Sequence, residues 1–574
     1  MIRRFFGYFH KYRKYLVASV VCVALESVFE LVIPMIMADI IDVGVANRDR
    51  NYILWQSLAM VGCALVSLLL GMLYARFAAK AGQGFGAELR KAQYRKVQSF
   101  SFANMDRFST PSLMTRLTSD VAILQNAVCN GIRPLVRGPV MLLLALVMTM
   151  MISAKLTLVF LVAIPVLAGC LLWILTKLRP MYGRMQKALD QVNATVQENL
   201  IAIRTVKAYV KGDSESRKFA QVNETFQEAS QGAFRYAVMN MPAFQLVLYA
   251  TILLLLWFGG GFIQAGSMRV GELTGFLSYV MQILNSLMMI SNVFLLLSRS
   301  MTSASRVLEV MEEPVALSSG PWKGKVEKGL IEFDHVFFKY KETAREYVLS
   351  DICLTLGPGQ TLGIIGGTGS AKSSLVQLIP RLYDVTQGNL RIDGRDVRDY
   401  DLAHLRDAVG MVLQKNTLFS GTIRENLLWG NEHASQEELD WACRIACADE
   451  LLAKMPQGYE TDLGQGGVNV SGGQKQRLCI ARALLKRPKV LILDDSTSAV
   501  DTATEARIRS RLQEEMGDVT KIFITQRISA IQNAHQILVL ERGRIAALGT
   551  HEELLAQSPM YRDICALQSQ GVGV

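Results

Sequence analysis

Six long apolar runs in the N-terminal half are the feature that most limits how this chain can fold. About 20 helical residues cross a hydrocarbon core ~30 Å thick, and a helix satisfies its backbone polar groups internally. The sequence therefore predicts an all-α domain of six transmembrane helices over residues 1–310, the third of which could begin earlier, near Cys129. A soluble all-helical protein is the alternative, and six such runs argue against it. The runs cover residues 15–41, 53–79, 137–152, 156–178, 241–263 and 273–297.

Two polar stretches of roughly 60 residues separate the second run from the third and the fourth from the fifth. Both keep helical apolar spacing with few Gly or Pro residues, so we expect the membrane helices to continue far into the cytoplasm as long helical loops. Both stretches are also basic, as cytoplasmic loops usually are. The pattern predicts a multi-pass protein of the cell membrane with both termini in the cytoplasm.

The net charge of +11 points to a lipid bilayer as partner rather than to nucleic acid. Many of the cations flank the apolar runs, which is typical of a membrane protein. The basic, aromatic N-terminus has no small-residue cleavage site, and it predicts an amphipathic helix at the inner membrane surface instead of a removable signal peptide. Nine scattered cysteines without a CxxC pair indicate no disulfide framework.

Charged residues at membrane depth form two pairs with helical spacing, Glu26 with Glu30 and Arg133 with Arg137. Charges at this depth usually face a cavity or a partner. The carboxylates could receive a cationic substrate, or they could pair with a neighbouring helix, and the sequence leaves both interpretations open.

After a Gly- and Pro-rich linker at residues 311–328, the sequence changes to apolar strand-like runs that alternate with helical stretches. This alternation predicts a largely parallel α/β domain over residues 329–574. We expect strands at residues 330–338, 361–365, 490–493, 521–524 and 536–540.

A phosphate-binding loop follows the second of these strands, in the run LGIIGGTGSAKSSL. Its glycines let backbone N–H groups converge on phosphate oxygens, Lys372 would reach the β- and γ-phosphates, and the Ser373 hydroxyl would ligate Mg²⁺. ATP and Mg²⁺ are thus the expected ligands. The predicted ATP-binding residues are Gly366, Gly367, Thr368, Gly369, Ser370, Ala371, Lys372, Ser373 and Ser374.

Two further motifs support a nucleotide site. The apolar run at residues 490–495 ends in Asp494 and Asp495, and a strand-end carboxylate beside a phosphate loop is where Mg²⁺ is held, a role that suits Asp494. A second anion-binding turn opens a helix between the two motifs. It consists of Val470, Ser471, Gly472, Gly473 and Gln474.

In this order, the phosphate loop, the VSGGQ turn, the aspartate strand and GTHEELL at residues 549–555 resemble the nucleotide-binding domain of ABC transporters. The first 310 residues resemble the membrane domain of the exporters in that family. The resemblance implies that Tyr340 stacks on adenine, that Gln414 contacts Mg²⁺ and that Asp501 faces the opposite site. It also implies that two such domains close around each ATP, so that one chain's VSGGQ signature turn completes the other chain's site.

Three residues depart from the family pattern, and all three belong to this chain's own ATP site. Ala371 replaces a glycine, Asp495 replaces the glutamate that acts as general base, and Gln526 replaces a histidine. Aspartate is one methylene shorter, and losing a general base costs about 10²–10⁴ in rate. The pattern resembles the degenerate chain of heterodimeric exporters, with a different half-transporter as partner.

The resemblance further implies that the tips of the long loops press on nucleotide domains. We expect the tips near residues 109–114 and 205–210, with Arg116 or Asp120 in ion pairs of the first loop. A homodimer with weak symmetric sites and a membrane-anchored regulatory ATP-binding protein are the alternatives. Drugs, lipids and peptides all fit as the hydrophobic or amphipathic substrate.

Overall fold

A computed structural model describes residues 2–495 and 499–570 of the 574 in the chain. The chain divides into two compact units. The helical unit comprises Met1–Gln98 and Thr110–Glu313, and the α/β unit comprises Ser99–Ser109 and Pro314–Val574.

Eleven helices lie among the described residues up to position 312, and α4 is the one that belongs to the α/β unit. A 3-10 segment, Phe6–Tyr12, and two π-helical segments, Ile40–Val45 and Arg116–Asp120, connect or extend them. The helices are α1 Ile2–Phe5, α2 Arg13–Asp39, α3 Arg50–Gln98, α4 Phe102–Arg107, α5 Thr110–Thr115, α6 Val121–Ile152, α7 Ala154–Ile201, α8 Ile203–Ala208, α9 Gly212–Val238, α10 Asn240–Gln264 and α11 Val270–Glu312.

The six predicted membrane helices are confirmed. Six helical segments among the described residues are long and apolar enough to cross a membrane. The third apolar run is part of a much longer helix, because α6 begins at Val121 and contains Pro134 and Pro139. The part of α6 before residue 137 was not predicted, because the charged Arg133 and Arg137 interrupt the apolar run.

These two arginines are paired with acidic residues of α2. Arg133 Nη2 lies 2.5 Å from Glu26 Oε1, and Arg137 pairs with Glu30 while its Nη1 lies 3.6 Å from Glu26 Oε1. A charge at membrane depth is costly unless it is paired. The structure therefore confirms the interpretation in which the carboxylates pair with a neighbouring helix.

A second ion-pair cluster joins the π-helical segment before α6 to the last turns of α11. Arg116 Nη1 lies 2.8 Å from Glu309 Oε2 and also donates to the Arg306 carbonyl at 3.1 Å. Arg306 pairs with Asp120, whose side chain is almost completely buried. The prediction that Arg116 or Asp120 forms ion pairs is confirmed for both residues.

In the described part of the α/β unit, the strands form two sheets. A four-stranded antiparallel sheet has the order β2-β1-β4-β5, and a six-stranded sheet has the order β10-β9-β3-β8-β7-β6, in which β10 is the antiparallel strand. The strands are β1 Ile331–Phe338, β2 Leu349–Leu356, β3 Thr361–Ile365, β4 Gln387–Ile392, β5 Arg395–Asp396, β6 Val409–Val412, β7 Val490–Asp494, β8 Thr520–Ile524, β9 Gln536–Glu541 and β10 Arg544–Gly549.

Among the residues that the structure describes, nine helices complete this unit. They are α12 Lys372–Gln377, α13 Leu402–Asp407, α14 Ile423–Leu428, α15 Gln436–Ile445, α16 Asp449–Leu452, α17 Gly472–Leu484, α18 Thr502–Glu515, α19 His551–Gln557 and α20 Pro559–Gln570. All five residues of β7 and four of the five in β3 are buried, which explains why these strands read as continuous apolar runs. Their carboxyl ends meet at one edge of the sheet, and that edge positions the candidate site.

The Arg306–Asp120 pair provides a stability test of the helical unit. Arg306→Ala should lower the free energy of unfolding by about 2 kcal/mol, because it leaves the buried Asp120 carboxylate without its cation; a fully buried pair would lose ~3–5 kcal/mol. The double variant Asp120→Asn/Arg306→Ala should lose less than Arg306→Ala alone. Thermal unfolding of the detergent-purified chain measures both.

The matched control is the exposed pair Lys218–Glu198, whose charged atoms lie 2.8 Å apart. Exposed pairs contribute little, so Lys218→Ala should leave the unfolding midpoint nearly unchanged. Equal losses in Arg306→Ala and Lys218→Ala would show that Asp120 does not depend on its partner.

Candidate functional site

The phosphate loop occupies the six residues between β3, which ends at Ile365, and α12, which begins at Lys372. A side chain at Gly366 would place its Cβ 2.2 Å from the Leu540 carbonyl oxygen, so only glycine fits there. Gly369 has a φ of +82°, in the left-handed region that favours glycine. The sequence thus permits a tight turn at the carboxyl end of a buried strand.

Lys372 lies inside the turn. Its Nζ donates to the carbonyls of Gly366 at 2.7 Å and Gly367 at 2.8 Å, and to Ser370 Oγ at 3.3 Å. Partial burial lowers the pKa of Lys372, and the neighbouring carboxylates Asp494 and Asp495 oppose that shift. The loop therefore encloses the Lys372 ammonium group, close to the carboxylates of Asp494 and Asp495.

Ser373 and Asp494 form the polar contact between the loop and β7. The Ser373 hydroxyl donates to Asp494 Oδ1 at 3.0 Å, and Asp494 is 2% exposed. Burial raises the pKa of Asp494, while the bond from Ser373 lowers it. A hydroxyl and a carboxylate oxygen are the hard ligands that Mg²⁺ prefers, so this pair fits a magnesium ion beside the phosphates.

Ala371 has a backbone conformation that explains why glycine is usual at its position. Its φ is +73° and its ψ is 24°, which is left-handed. An L-residue there places Cβ too close to the following carbonyl, at a cost of roughly 1–2 kcal/mol. Alanine at this position therefore strains the loop.

A cleft of about 560 Å³ lies at this edge of the sheet. Most of the predicted site residues line it together. They are Gly366, Gly367, Thr368, Gly369, Ser370, Ala371, Lys372, Ser373, Ser374, Gln414, Asp494, Asp495 and Gln526. The two catalytic departures, Asp495 and Gln526, therefore face the same space as the phosphate loop.

Tyr340 is placed beside this cleft but does not line it. Its hydroxyl lies 2.7 Å from Ser374 Oγ, and its ring meets Tyr383 edge-on with centroids 5.1 Å apart. Tyr340 as a whole is 42% exposed and lies next to the start of α12.

The VSGGQ turn also lies outside the cleft. Ser471 caps α17 in a reciprocal capping box with Gln474, accepting from Gln474 N at 3.4 Å while its own N–H donates to Gln474 Oε1 at 2.8 Å. Gly473 is required because a Cβ would lie 2.6 Å from the Ala499 carbonyl oxygen, whereas Gly472 has ordinary space. Ser471 and Gly472 are exposed, so the start of this helix is accessible from solvent.

Asp501 caps α18 and is likewise absent from the cleft lining. Its side chain accepts from Thr504 N at 2.9 Å. The preceding residues 496–498 of the STSAVD run lie outside the described residues.

The place of residues 99–109, which lie between two helices of the helical unit but belong to the α/β unit, was not predicted from the sequence. Tyr383 Oη donates to Asp106 Oδ2 at 2.8 Å, and Phe102 meets the Tyr383 ring edge-on. Asn104 Nδ2 donates to the Pro314 carbonyl at 2.8 Å. The expected tip at residues 109–114 is therefore wrong by several residues, because polar side chains rather than the loop midpoint decide which segment packs here.

The left-handed conformation at Ala371 predicts a ranked response to substitution. Ala371→Gly should raise the free energy of unfolding by about 1 kcal/mol because it removes the Cβ clash, and Ala371→Val should lower it by more than that because β-branched residues tolerate this region worst. The unfolding midpoint of the full chain reports both changes. Stabilisation by valine, or loss of stability with glycine, would contradict this account of the loop.

The chain matches two family models that together cover most of its length. Residues 16–287 match the ABC transporter transmembrane region, and residues 349–498 match the ABC transporter model. The uncharacterized ABC transporter ATP-binding protein YfiB of Bacillus subtilis (strain 168) is 40% identical over 540 residues, which is 94% of each chain.

The ATP-dependent lipid A-core flippase of Chromobacterium violaceum is 31% identical over 566 residues, which is 99% of this chain and 97% of the flippase. Among solved structures, a bacterial Atm1-family ABC exporter with ATP bound shares the fold at a TM-score of 0.84, with 23% identity over 97% of this chain and 99% of the exporter. The chain thus belongs to the ABC transporter family, as a multi-pass membrane transport ATPase of the exporter type with a cytoplasmic nucleotide-binding domain.

Proposed function

We propose that this chain is one half of a heterodimeric ABC exporter whose own ATP site binds ATP but hydrolyses it slowly. Its VSGGQ turn completes a competent site on a different partner chain. The single observation that carries this proposal is the composition of the cleft: Asp495 and Gln526 line it with the phosphate loop, whereas the VSGGQ turn, which has the family's usual sequence, lies outside it.

In this proposal three groups of residues hold ATP. The N–H groups of residues 366–374 and the Lys372 ammonium bind the phosphate oxygens. Ser373, Gln414 and Asp494 hold Mg²⁺, which when bound neutralises charge on the phosphates. Tyr340 offers its exposed face to adenine, adjacent to Ser374. In this proposal, ATP can bind although Ala371, Asp495 and Gln526 differ from the family pattern.

Hydrolysis at the same site is impaired by Asp495 and Gln526. A general base must come within ~2.6–3.2 Å of the proton that it takes, and the aspartate side chain is one methylene too short for the position of a glutamate. Burial raises the pKa of Asp495, and Lys372 and Arg527 oppose the shift. Gln526 can donate a hydrogen bond to a γ-phosphate, but an amide cannot carry the proton or charge of an imidazole.

The partner's ATP meets this chain at the start of α17. Helix N-termini bind anions through unpaired backbone N–H groups, and Ser471 and the two glycines leave that end open. Val470 is buried and Gln474 is used in the capping box, so these two residues fix the turn. In the proposal, Asp501 faces the opposite site across the dimer.

The membrane unit supports a hydrophobic or amphipathic substrate. Its six spans are apolar, and the four charges described at membrane depth on α2 and α6 are paired with one another. A relative of almost equal length is named as a lipid A-core flippase, which fits a substrate taken from the bilayer. We therefore place drugs, lipids and peptides with an apolar part in the substrate class.

The first test compares two variants of this chain within the complex isolated from its native membrane. Gly472→Asp places a carboxylate where the partner's phosphates would lie, so ATPase activity should fall at least ~10²-fold. Lys372→Ala affects only this chain's slow site, so activity should stay within about tenfold of the wild type. The phosphate-release rate in vesicles measures both.

Gly472→Ala is the matched control, since the structure has space for a methyl group there and the substitution adds no charge. It should retain most of the activity. Equal losses in Gly472→Asp and Lys372→Ala would contradict the proposal and would favour a homodimer with two equivalent sites. Full ATPase activity of this chain without a partner would also contradict the proposal.

A second test restores the missing groups. In the Gly472→Asp background, where the partner's site is disabled, Asp495→Glu/Gln526→His should raise ATPase activity at least tenfold above the baseline, within the ~10²–10⁴ that a general base contributes. Asp495→Asn/Gln526→His is the control and should stay at the baseline. No gain from the glutamate would show that something other than the base limits this site.

A further inference from the structure

We propose that the α/β unit carries a surface site for a borderline divalent transition ion such as Zn²⁺, formed by His335, Asp351 and Cys353. This inference is independent of the proposed transport function, because the three residues lie on β1 and β2 and are absent from the lining of the nucleotide cleft.

Three different donor atoms converge at this place. His335 Nδ1 lies 2.6 Å from Asp351 Oδ1 and 3.5 Å from Cys353 Sγ, and Cys353 Sγ lies 4.0 Å from Asp351 Oδ1. Among the described residues, this is the group of His, Cys, Asp or Glu side chains whose ligand atoms come close enough together to hold one metal ion.

The pairing of β1 with β2 explains why these residues share a face. Val336 pairs with Ile352, and both are fully buried. Side chains alternate along a strand, so the neighbours of this pair point to the opposite, outer face. Those neighbours include His335 on one strand and Asp351 and Cys353 on the other.

The backbone at two of the three positions is unusual. The ladder between β1 and β2 is irregular between Phe333 and Val336, and His335 there has a φ of 47°. Asp351, on the facing strand, has a φ of 55°. Such irregularities re-aim a side chain, and left-handed residues cost of order 1–3 kcal/mol. Two of the three donor residues, His335 and Asp351, therefore have a strained backbone.

The donor set selects the class of metal. Thiolate and imidazole ligands suit Zn²⁺ and Co²⁺, whereas Mg²⁺ requires oxygen ligands. Around a tetrahedral ion with bonds of ~2.0–2.3 Å, the ligand atoms lie about 3.3–3.8 Å apart, close to both distances that involve Cys353 Sγ.

The shorter contact, between His335 and Asp351, is a hydrogen bond whose proton the metal would replace. Both side chains are exposed, at 71% and 60%, so they can separate by the ~0.7 Å that the ion needs. Binding releases the thiol proton and removes the proton from His335 Nδ1, which goes to solvent from an imidazolium or to Nε2 of a neutral imidazole. Water fills the fourth position, which makes the site an exchangeable one.

Cobalt is the probe for the test, because a thiolate ligand gives Co²⁺ a charge-transfer band in the near ultraviolet and tetrahedral coordination gives strong visible bands. The full chain, purified without a histidine tag and treated with a chelator, is titrated with Co²⁺ alone. We expect one equivalent of Co²⁺ with both sets of bands, and stoichiometric displacement by Zn²⁺.

Cys353→Ser should abolish the charge-transfer band, and His335→Ala or Asp351→Asn should weaken binding at least tenfold, as loss of even an outer-shell partner costs 10–100-fold. The control variants Cys565→Ser and His433→Ala keep the same thiol and imidazole counts as the corresponding test variants and should leave the bands intact. Absence of a charge-transfer band in the wild type, or its persistence in Cys353→Ser, overturns the proposal.

Discussion

Backbone N–H and C=O groups cannot remain unpaired in hydrocarbon, and this constraint determines most of the helical unit. Each apolar run has to be helical from one side of the membrane to the other. The four described membrane charges on α2 and α6 obey the same rule at the level of side chains, because Arg133 and Arg137 are paired with Glu26 and Glu30. The requirement for internal pairing thus explains both the helices and the positions at which charge is tolerated.

In the α/β unit, the corresponding constraint is the burial of two parallel strands. Because β3 and β7 are separated by β8 alone, the loop after one strand and the acidic end of the other come to the same edge. The hydrogen bond between Ser373 and Asp494 shows that the two segments are in contact. The order of the strands therefore brings together site residues that lie more than 100 positions apart in the sequence.

Much of this could be predicted from local sequence. The six spans and the strands around the phosphate loop read directly as apolar runs. In the antiparallel sheet, β1 was predicted, whereas β2, β4 and β5 were missed, since these strands are only partly buried. The place of residues 99–109 was also missed, because it depends on contacts such as the Tyr383–Asp106 bond across 277 residues. The strain at Ala371 is a property of the backbone that composition does not reveal.

The site residues raise the question of which chain consumes ATP. This chain has every group needed to hold a nucleotide, but its positions for the base and the γ-phosphate contact are occupied by Asp495 and Gln526. Its VSGGQ turn is intact and faces outward. In our proposal, ATP is stored on this chain and hydrolysed on the partner, two functions that a symmetric dimer would combine.

Vanadate trapping of a photoactivatable ATP analogue tests this separation most directly, because trapping requires hydrolysis and labels the chain whose phosphate loop holds the product. In the complex isolated from its native membrane, we expect vanadate-dependent label on the partner, while this chain should be labelled equally with and without vanadate. Vanadate-dependent label of equal amount on both chains would contradict the proposed division between the two chains.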